Sequence, residues 1–202
     1  SILEDEFYIP KQANLAKQSA SNKQGRSEEL DNNLAKKIIK ILKEYSEDII
    51  VLSGGLSGEI SSKILNQGEE KAEESLAWWK DTFGSDFYLE IQRHNQENED
   101  YIIPIIKEFS AKYDIKIIAT NNTFYTTKTE ANAHDILLCV REGEKQSVPI
   151  GKGRGFRYGL PNQEYWYKSK DEMFELFKDI PDSIYNISAV SYTHLRAHET
   201  DR

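Results

Sequence analysis

Residues 115–125 decide the predicted fold; they read Ile-Lys-Ile-Ile-Ala-Thr-Asn-Asn-Thr-Phe-Tyr. This β-branched run is too short for an ordinary helix, and it breaks into small polar residues as a buried strand does on reaching a functional edge. Similar runs at residues 49–53 and 87–91 come earlier in the chain, with helical patterns between them. The order β-α-β-α-β predicts an α/β fold with a parallel sheet and right-handed crossovers.

The polar segments that follow these three strands are the first place to look for function. They are residues 54–59, 92–94 and 120–124. In parallel α/β folds, binding and catalytic side chains gather in the loops after the carboxyl ends of the strands. We therefore expect the three segments to share one edge of the sheet.

Apolar residues at three- and four-residue steps predict helices around this sheet. The predicted helices cover residues 27–45, 69–83, 101–113, 129–143, 170–180 and, incompletely, 182–189, and residues 164–168 read as one more strand. Ser27, Thr129 and Ser169 are the expected N-caps. Trp78 and Trp79 are interpreted as packing residues rather than as a nucleotide-stacking pair.

The composition excludes some classes of function. The chain has 202 residues and a formal net charge of -8. That charge argues against tight binding of duplex DNA by this stretch, because such binding needs clustered Lys and Arg. No apolar run approaches the roughly 20 residues that cross a bilayer, and no secretory signal opens the sequence, so we expect a cytoplasmic protein without membrane contact. The single cysteine, Cys139, is interpreted as a small buried hydrophobic residue.

Several residues are candidates for chemistry, each beside a structural alternative. The glycines at residues 54–58 favour a tight turn over an anion-binding loop, because the lysine and the spacing of known phosphate loops are missing. His94, at a strand end, is either a metal or acid-base residue or a hydrogen-bond partner of a nearby loop, and the second is favoured. His134 and Asp135 are interpreted as a capping or inter-element pair rather than as catalytic residues.

A basic stretch at residues 145–158 carries the candidate phosphate contacts Lys152, Arg154 and Arg157. These cations are interleaved with glycines and with two aromatic residues, a pattern that can hold a phosphate or a stacked base. A solvated flexible loop is the alternative, which the glycine content favours.

The C-terminal tail has an unusual sequence. Residues 190–200 read Val-Ser-Tyr-Thr-His-Leu-Arg-Ala-His-Glu-Thr and resemble the translation of a common sequencing-library adapter. His194 and His198, with Glu199 beside them, would otherwise suggest a metal site on a helix. We exclude this tail from fold reasoning and expect the natural gene to continue past residue 189.

Four ordered motifs carry a family resemblance. They are Leu-Ser-Gly-Gly-Leu-Ser-Gly-Glu at residues 52–59, Phe-Tyr-Leu-Glu-Ile-Gln-Arg-His at 87–94, Ile-Ala-Thr-Asn-Asn at 118–122 and Ala-His-Asp-Ile-Leu-Leu-Cys at 133–139. In this order they resemble the later part of the PHP (polymerase and histidinol phosphatase) domain of bacterial replicative DNA polymerase III alpha subunits. The resemblance runs from about residue 49 to about residue 187.

The resemblance implies a distorted β/α barrel, here partial, whose strand ends hold metal ions in some members for phosphoester or proofreading hydrolysis. The family's ligand cysteine is replaced here by Gly55, and its Asp and His ligands are replaced by Asn122 and Phe124. The early His-x-His motif is absent, and we expect the chain to start too late in the family's order to include it. A metal ion that activates water needs several anionic or imidazole ligands. We therefore expect no bound metal and a degenerate site at Gly55, Asn122 and Phe124, with neighbours Glu59, Glu90 and His94.

The leading hypothesis is a fragment of a replicase alpha subunit, a DNA-directed DNA polymerase, in which this PHP part is inactive alone and serves as a scaffold or docking surface. The fragment itself is expected to need no cofactor, whereas the parent polymerase would use Mg²⁺ and bind DNA and deoxynucleotides through a core outside this chain. Replisome subunits such as a proofreading exonuclease are expected partners. The alternatives are a free-standing PHP-type metal-dependent phosphoesterase and a non-catalytic module that binds the exonuclease.

On this hypothesis the chain divides into four parts. Residues 1–45 match the family poorly and end in a helix, and residues 46–145 form the truncated PHP-like domain. Residues 146–189 supply a loop, a strand and a helix that lead toward the polymerase core, and residues 190–202 are the adapter-like tail.

Overall fold

The computed structural model of the chain describes residues 37–46, 49–188 and 190. Its sheet has three parallel strands, in the order β1-β2-β3. The strands are β1 (Val51–Leu52), β2 (Phe87–Ile91) and β3 (Ile117–Ala119). The predicted parallel α/β fold is confirmed, and it is consistent with a partial PHP-like barrel.

The middle strand, β2, fixes the register of the sheet. Val51 of β1 lies opposite Phe87, and Leu89 lies opposite Ile117 of β3. All five residues of β2 are buried, as expected for a strand with a parallel neighbour on each side and helices on its faces.

Two strand predictions need correction. The strands β1 and β3 are shorter than the runs at residues 49–53 and 115–119, because pairing with β2 covers only two residues in one and three in the other. Residues 164–168 form no strand; Tyr125 and Trp166 make an isolated parallel bridge instead. Aromatic residues favour strands in general, but these lack a neighbouring strand with which to form a ladder.

Helices flank the sheet in the described residues. They are α1 (residues 37–44), α2 (Glu59–Gln67), α3 (Glu69–Phe83), α4 (Glu97–Tyr113), α5 (Ala131–Glu142), α6 (Lys170–Leu176) and α7 (residues 182–188), with 3-10 turns at Gly84–Asp86 and Lys128–Glu130. Among these helices, none is both long enough and apolar enough to cross a membrane. The predicted helix start at residues 27–36 lies outside the described part of the chain.

The local end signals of the helices mostly agree with the prediction. The stops at Gly84 and Gly143 are confirmed, and Ser169 caps α6. Thr127, rather than the predicted Thr129, caps the 3-10 turn that leads into α5. Two threonines spaced two residues apart offer equivalent hydroxyls to a helix start, so the sequence pattern alone does not choose between them.

The sequence pattern does not predict α2. This helix has only nine residues, and its buried face consists of Ile60, Ser61 and Ile64. The segment has three apolar residues, Ile60, Ile64 and Leu65, and although Ile60 and Ile64 lie at helical spacing, nine residues are too few for the repeat to identify a helix. Packing against α3 adds the stability that so short a helix lacks by itself.

One main core joins the sheet to helices from both ends of the described chain. Phe177, Ile180 and Ile184 pack in the same cluster as β2 and α4. Arg93, which directly follows β2, lies over the ring of Phe177 at 5.0 Å and makes a two-fold ion pair with Asp179 at 2.6 and 2.8 Å. The C-terminal helices are therefore packed against the sheet, although they are distant from it in sequence.

The carboxylate of Glu59 connects α2 to α3. Its oxygens accept hydrogen bonds from Lys63 at 2.7 Å, from the Ser75 hydroxyl at 2.9 Å and from the Trp79 indole at 2.9 Å. Burial raises the pKa of Glu59, but these donors and the charge of Lys63 outweigh that effect and hold the pKa below its usual value. The Trp79 ring also stacks on Phe83, which confirms its interpretation as a packing residue.

A second, smaller hydrophobic cluster contains Tyr125, Ala131 and Tyr165. Its connection to the rest of the structure runs through Tyr165, whose ring stacks on His94 at 4.4 Å and whose hydroxyl accepts a hydrogen bond from Gln96 at 2.9 Å. Burial, helped by the nearby Glu99 carboxylate, raises the pKa of Tyr165 to about 12.

The shared main core predicts a large effect of Phe177→Ala. The variant should lose about 3–5 kcal/mol of unfolding free energy, because the ring is fully buried and its removal leaves a cavity. Urea unfolding followed by circular dichroism measures this loss. The control Tyr167→Ala removes a side chain that is 68% exposed and should change stability by no more than about 0.5 kcal/mol. Equal effects of the two variants would contradict the shared core.

The raised pKa of Tyr165 predicts a loss of stability at alkaline pH. Because the folded-state pKa of about 12 lies above the unfolded value of about 10, this contribution is complete below pH 10 and is lost as the pH rises toward 12. The stability difference between the parent chain and Tyr165→Phe should therefore shrink between about pH 8 and about pH 11. Urea unfolding at both pH values checks this; a constant difference would refute it.

Candidate functional site

The loops after the three strands meet at the carboxyl edge of the sheet, here called the sheet edge. Gln92, just after β2, donates from Nε2 to Glu90 Oε1 at 2.8 Å and to Thr120 Oγ1 at 3.0 Å. The Thr120 hydroxyl, just after β3, donates to the same Glu90 oxygen. The Glu90 backbone N–H donates to the hydroxyl of Ser53, just after β1, at 2.9 Å. The expected convergence of the strand ends is observed for these residues.

The glycine segment after β1 is a tight turn. Gly54 has a positive φ of 78°, and the Gly58 N–H donates to the Gly55 carbonyl at 2.8 Å. A side chain at Gly58 would overlap the Ser53 carbonyl oxygen, so only glycine fits there. These contacts agree with the favoured interpretation of the segment as a structural turn.

The space beside Gly55 is occupied by Gln92. A Cβ atom at position 55 would overlap the carboxamide oxygen of Gln92. That carboxamide is held in place by its hydrogen bonds to Glu90 and Thr120. A side chain at position 55, whether or not it binds metal, therefore requires the Gln92 side chain to move.

The next two positions of the predicted degenerate site, Asn122 and Phe124, make no hydrogen bond to this network. Asn122 is exposed, and Phe124 is 43% exposed. The Phe124 ring lies with its edge toward the Tyr165 ring at 5.8 Å and contacts His134 at 5.5 Å. Phe124 therefore packs between Tyr165 of the second hydrophobic cluster and His134 of α5.

His94 is buried, with 1% of its surface exposed, and is held by the start of α4. Its Nδ1 lies 2.8 Å from Glu99 Oε1, and its backbone N–H donates to the other oxygen of the same carboxylate. Asn162 donates to its carbonyl oxygen. These hydrogen bonds are of the kind that the favoured interpretation of His94 predicts. The ring atom Nε2 has no partner among the described residues.

The two carboxylates named as neighbours of the site have different surroundings. Glu59 is engaged in the contact between α2 and α3, whereas Glu90 is 8% exposed and lies in the network of the sheet edge. Within the described ranges, no three His, Cys, Asp or Glu side chains are grouped so that they could hold a metal ion. The sheet edge as described is thus a network of neutral donors around one carboxylate.

Asp135 of α5 forms an inter-element ion pair, as one of the two structural interpretations predicts. Its carboxylate oxygens accept from the Arg157 guanidinium at 2.7 and 2.8 Å. This guanidinium lowers the pKa of Asp135, although partial burial acts in the opposite direction. The neighbouring His134 ring contacts Phe124 and Tyr125 instead.

The Asp135 ion pair corrects the prediction for one of the three basic residues. Arg157 is 5% exposed and is occupied by Asp135, so its guanidinium is not available to a phosphate. Lys152 and Arg154 are exposed. Their phosphate contact stays a prediction.

Sequence reasoning missed the partners that come from distant parts of the chain. The residues of the sheet edge, in contrast, can be found from the sequence. Gln92 and Thr120 belong to the predicted loops, and the alternation of side chains along β2 places Glu90 and Gln92 on one face. Asn162 and Tyr165 contact His94 across more than sixty residues of sequence, and no local pattern indicates such a pairing.

Comparison with known proteins gives two results. The PHP domain model matches residues 13–94. DNA polymerase III subunit alpha of Campylobacter jejuni is 36% identical over 162 residues, which cover 75% of this chain and 13% of that protein. The same subunit of Borreliella burgdorferi is 34% identical over 145 residues, which cover 72% of this chain and 12% of that protein. The chain thus spans about an eighth of the length of these curated relatives.

The matches agree with the fold and with the ordered motifs at the strand ends. The PHP match begins at residue 13, within the segment 1–45 for which a poor match is expected, so the family similarity starts earlier than the motifs indicate. It ends at His94, the last residue of the second motif, and the relatives match about three quarters of the chain. The chain therefore carries a PHP-domain sequence and is a homologue of the PHP region of bacterial DNA polymerase III alpha subunits.

Proposed function

We propose that this chain is the PHP part of a replicative DNA polymerase in which the metal-binding capacity of the domain has been lost, leaving a scaffold and docking surface. The observation that carries the proposal is the occupation of the sheet edge by its own side chains. The Gln92 carboxamide fills the space beside Gly55, and it is bound to Glu90 and Thr120.

The chemistry of the three replaced positions supports a loss of metal binding. A hydrolytic metal site needs several anionic or imidazole ligands in a fixed geometry. Gly55 has no side chain, the Phe124 ring cannot coordinate a metal ion, and Asn122 offers only a neutral amide oxygen. The carboxylate of Glu90 is satisfied by neutral donors, which is the pattern of a structural group.

On this proposal the chain alone does not catalyse DNA synthesis. The relatives are named as subunits of DNA polymerase III, and this chain spans about an eighth of their length. Polymerase activity, its Mg²⁺ ions and the binding of deoxynucleotides and of the DNA at the polymerase site belong to the longer protein. That protein acts in the bacterial cytoplasm, where the chromosome is copied.

The outer face of α5 is the surface through which a scaffold of this kind can act. Ile136, Leu137 and Val140 are 46%, 63% and 74% exposed and follow one another at helical spacing. The opposite face holds Leu138 and Cys139 in the interior. We assign this apolar stripe to docking of a replisome subunit, with a proofreading exonuclease as the expected partner.

The loss of metal binding is tested on the purified chain. After incubation with Mn²⁺, Zn²⁺ or Fe²⁺ and desalting, elemental analysis should find much less than one metal ion per chain, because the replaced positions supply no strong ligands. The chain should not hydrolyse p-nitrophenyl phosphate or shorten a 3′-ended oligonucleotide. Stoichiometric metal together with hydrolysis that Glu90→Gln abolishes would contradict the proposal and favour the free-standing phosphoesterase.

The docking assignment is tested with two matched variants. Leu137→Lys on α5 and Tyr185→Lys on α7 each replace an apolar side chain that is about equally exposed, at 63% and 62%. The parent chain and Tyr185→Lys should retain a purified proofreading exonuclease subunit on an affinity resin, whereas Leu137→Lys should lose most of it, because a charge in an apolar contact is costly. No retention by the folded parent chain, or equal retention by both variants, would reject the assignment.

A further inference from the structure

The segment that the sequence presents as a flexible glycine-rich stretch is a short anchored loop. Ile150 and Arg157 form a β-bridge, with hydrogen bonds from Gly151 N–H to the Arg157 carbonyl at 3.1 Å and from Arg157 N–H to the Pro149 carbonyl at 3.0 Å. We call residues 150–157 the basic loop. The residues between the bridge partners, Gly-Lys-Gly-Arg-Gly-Phe, form its tip.

The base of the basic loop is fixed to α5 by one side chain. The Arg157 guanidinium binds both carboxylate oxygens of Asp135, and its Nε donates to the Val148 carbonyl at 2.8 Å. A two-fold pair between a guanidinium and a carboxylate constrains direction as well as distance. The loop therefore has a defined base, and less conformational entropy is lost when its tip binds a ligand.

The tip displays two cations without an acidic partner. Gly153 and Gly155 have φ angles of 91° and 87°, a region that favours glycine, and they turn the chain so that Lys152 and Arg154 are exposed. Neither cation makes an ion pair with any of the described residues, unlike Arg157 at the base.

Aromatic rings lie next to these cations. Phe156 is 50% exposed although its ring covers Gly151, and Tyr158 is 48% exposed with the Arg141 guanidinium 5.2 Å from its ring centre. Exposed rings beside cations are the elements that proteins use for single-stranded nucleic acids, in which phosphates pair with cations and bases stack on rings. In a duplex the faces of the bases are already stacked on one another, so the rings have nothing to bind.

We propose that the basic loop binds single-stranded nucleic acid, with Lys152 and Arg154 contacting phosphates and Phe156 stacking on a base. The site is distinct from the sheet edge and lies on the same side of the fold as α5, to which Arg157 attaches it. The inference deepens the proposed function and rests on it, since single-stranded DNA is a ligand that a domain of a DNA polymerase would meet. It does not depend on whether the sheet edge binds metal.

The proposal is tested with the 202-residue chain and a fluorescein-labelled dT20 oligonucleotide, by fluorescence anisotropy at low salt. The double variant Lys152→Ala/Arg154→Ala should weaken binding at least about tenfold and lower the slope of log K against log salt by about 1.4, the value for two phosphate contacts on a single strand. Phe156→Ala should weaken binding about fivefold or more with little change in that slope.

A matched control removes the same charge elsewhere. Lys71→Ala/Lys178→Ala deletes two exposed lysines, one on α3 and one in the turn after α6, and should leave the affinity within about twofold of the parent. Circular dichroism confirms that each variant is folded. If the control loses as much affinity as the loop variant, or if the folded parent chain does not bind dT20, the proposal is overturned.

Three further ligands identify what the loop recognises. A dT20·dA20 duplex should bind more weakly than dT20, and equal or tighter duplex binding would overturn the stacking role of Phe156. Poly-glutamate should compete poorly with labelled dT20. If it competes as strongly as unlabelled dT20, the identification of the ligand as nucleic acid is overturned in favour of an acidic protein partner. A rU20 strand distinguishes DNA from RNA as the source of the same chemistry: given that dT20 binds, tighter binding of rU20 indicates RNA and weaker binding indicates DNA, and either result supports the loop. The metal analysis described above is unaffected by these results, so the two proposals fail separately.

Discussion

The buried carboxylate of Glu90 is the group on which the arrangement of the sheet edge depends. With 8% of its surface exposed, it must be hydrogen-bonded, because a buried polar group without partners costs several kcal/mol. Its partners Gln92 and Thr120 follow β2 and β3, and its own N–H binds Ser53 after β1. The carboxylate thus joins the ends of β2 and β3, and the backbone N–H of the same residue joins them to the end of β1.

This network closes the sheet edge and leaves the exposed features on another part of the molecule. The side chains at the strand ends bind one another, and His94 is enclosed by Glu99 and Tyr165. The apolar stripe of α5 and the basic loop are exposed, and the ion pair between Asp135 and Arg157 joins them. On the two proposals above, the surfaces that this chain offers to other molecules lie beside the sheet rather than at the strand ends, where binding sites lie in comparable α/β folds.

The sequence predicts the features that depend on local chemistry, and it fails where distant segments decide. The parallel sheet, the end of α3 at Gly84 and the capping box at Ser169 follow from periodicity and from capping residues. The helix α2 and the absence of a strand at residues 164–168 depend on the neighbours that the chain provides in three dimensions. The same limit applies to the site: alternation indicates Glu90 and Gln92, but nothing local pairs Arg157 with Asp135 or Tyr165 with His94.

The contact between Gly55 and Gln92 couples two positions that are thirty-seven residues apart in the sequence. A lineage that gains any side chain at position 55 must also reorient or shorten residue 92, and doing so releases Glu90 and Thr120 from their shared donor. The carboxamide is the end of a flexible side chain and can turn away, so a side chain at position 55 costs the loss of these two hydrogen bonds rather than meeting a fixed steric barrier. Sequence change at position 55 is therefore coupled to position 92 by the energy of those bonds.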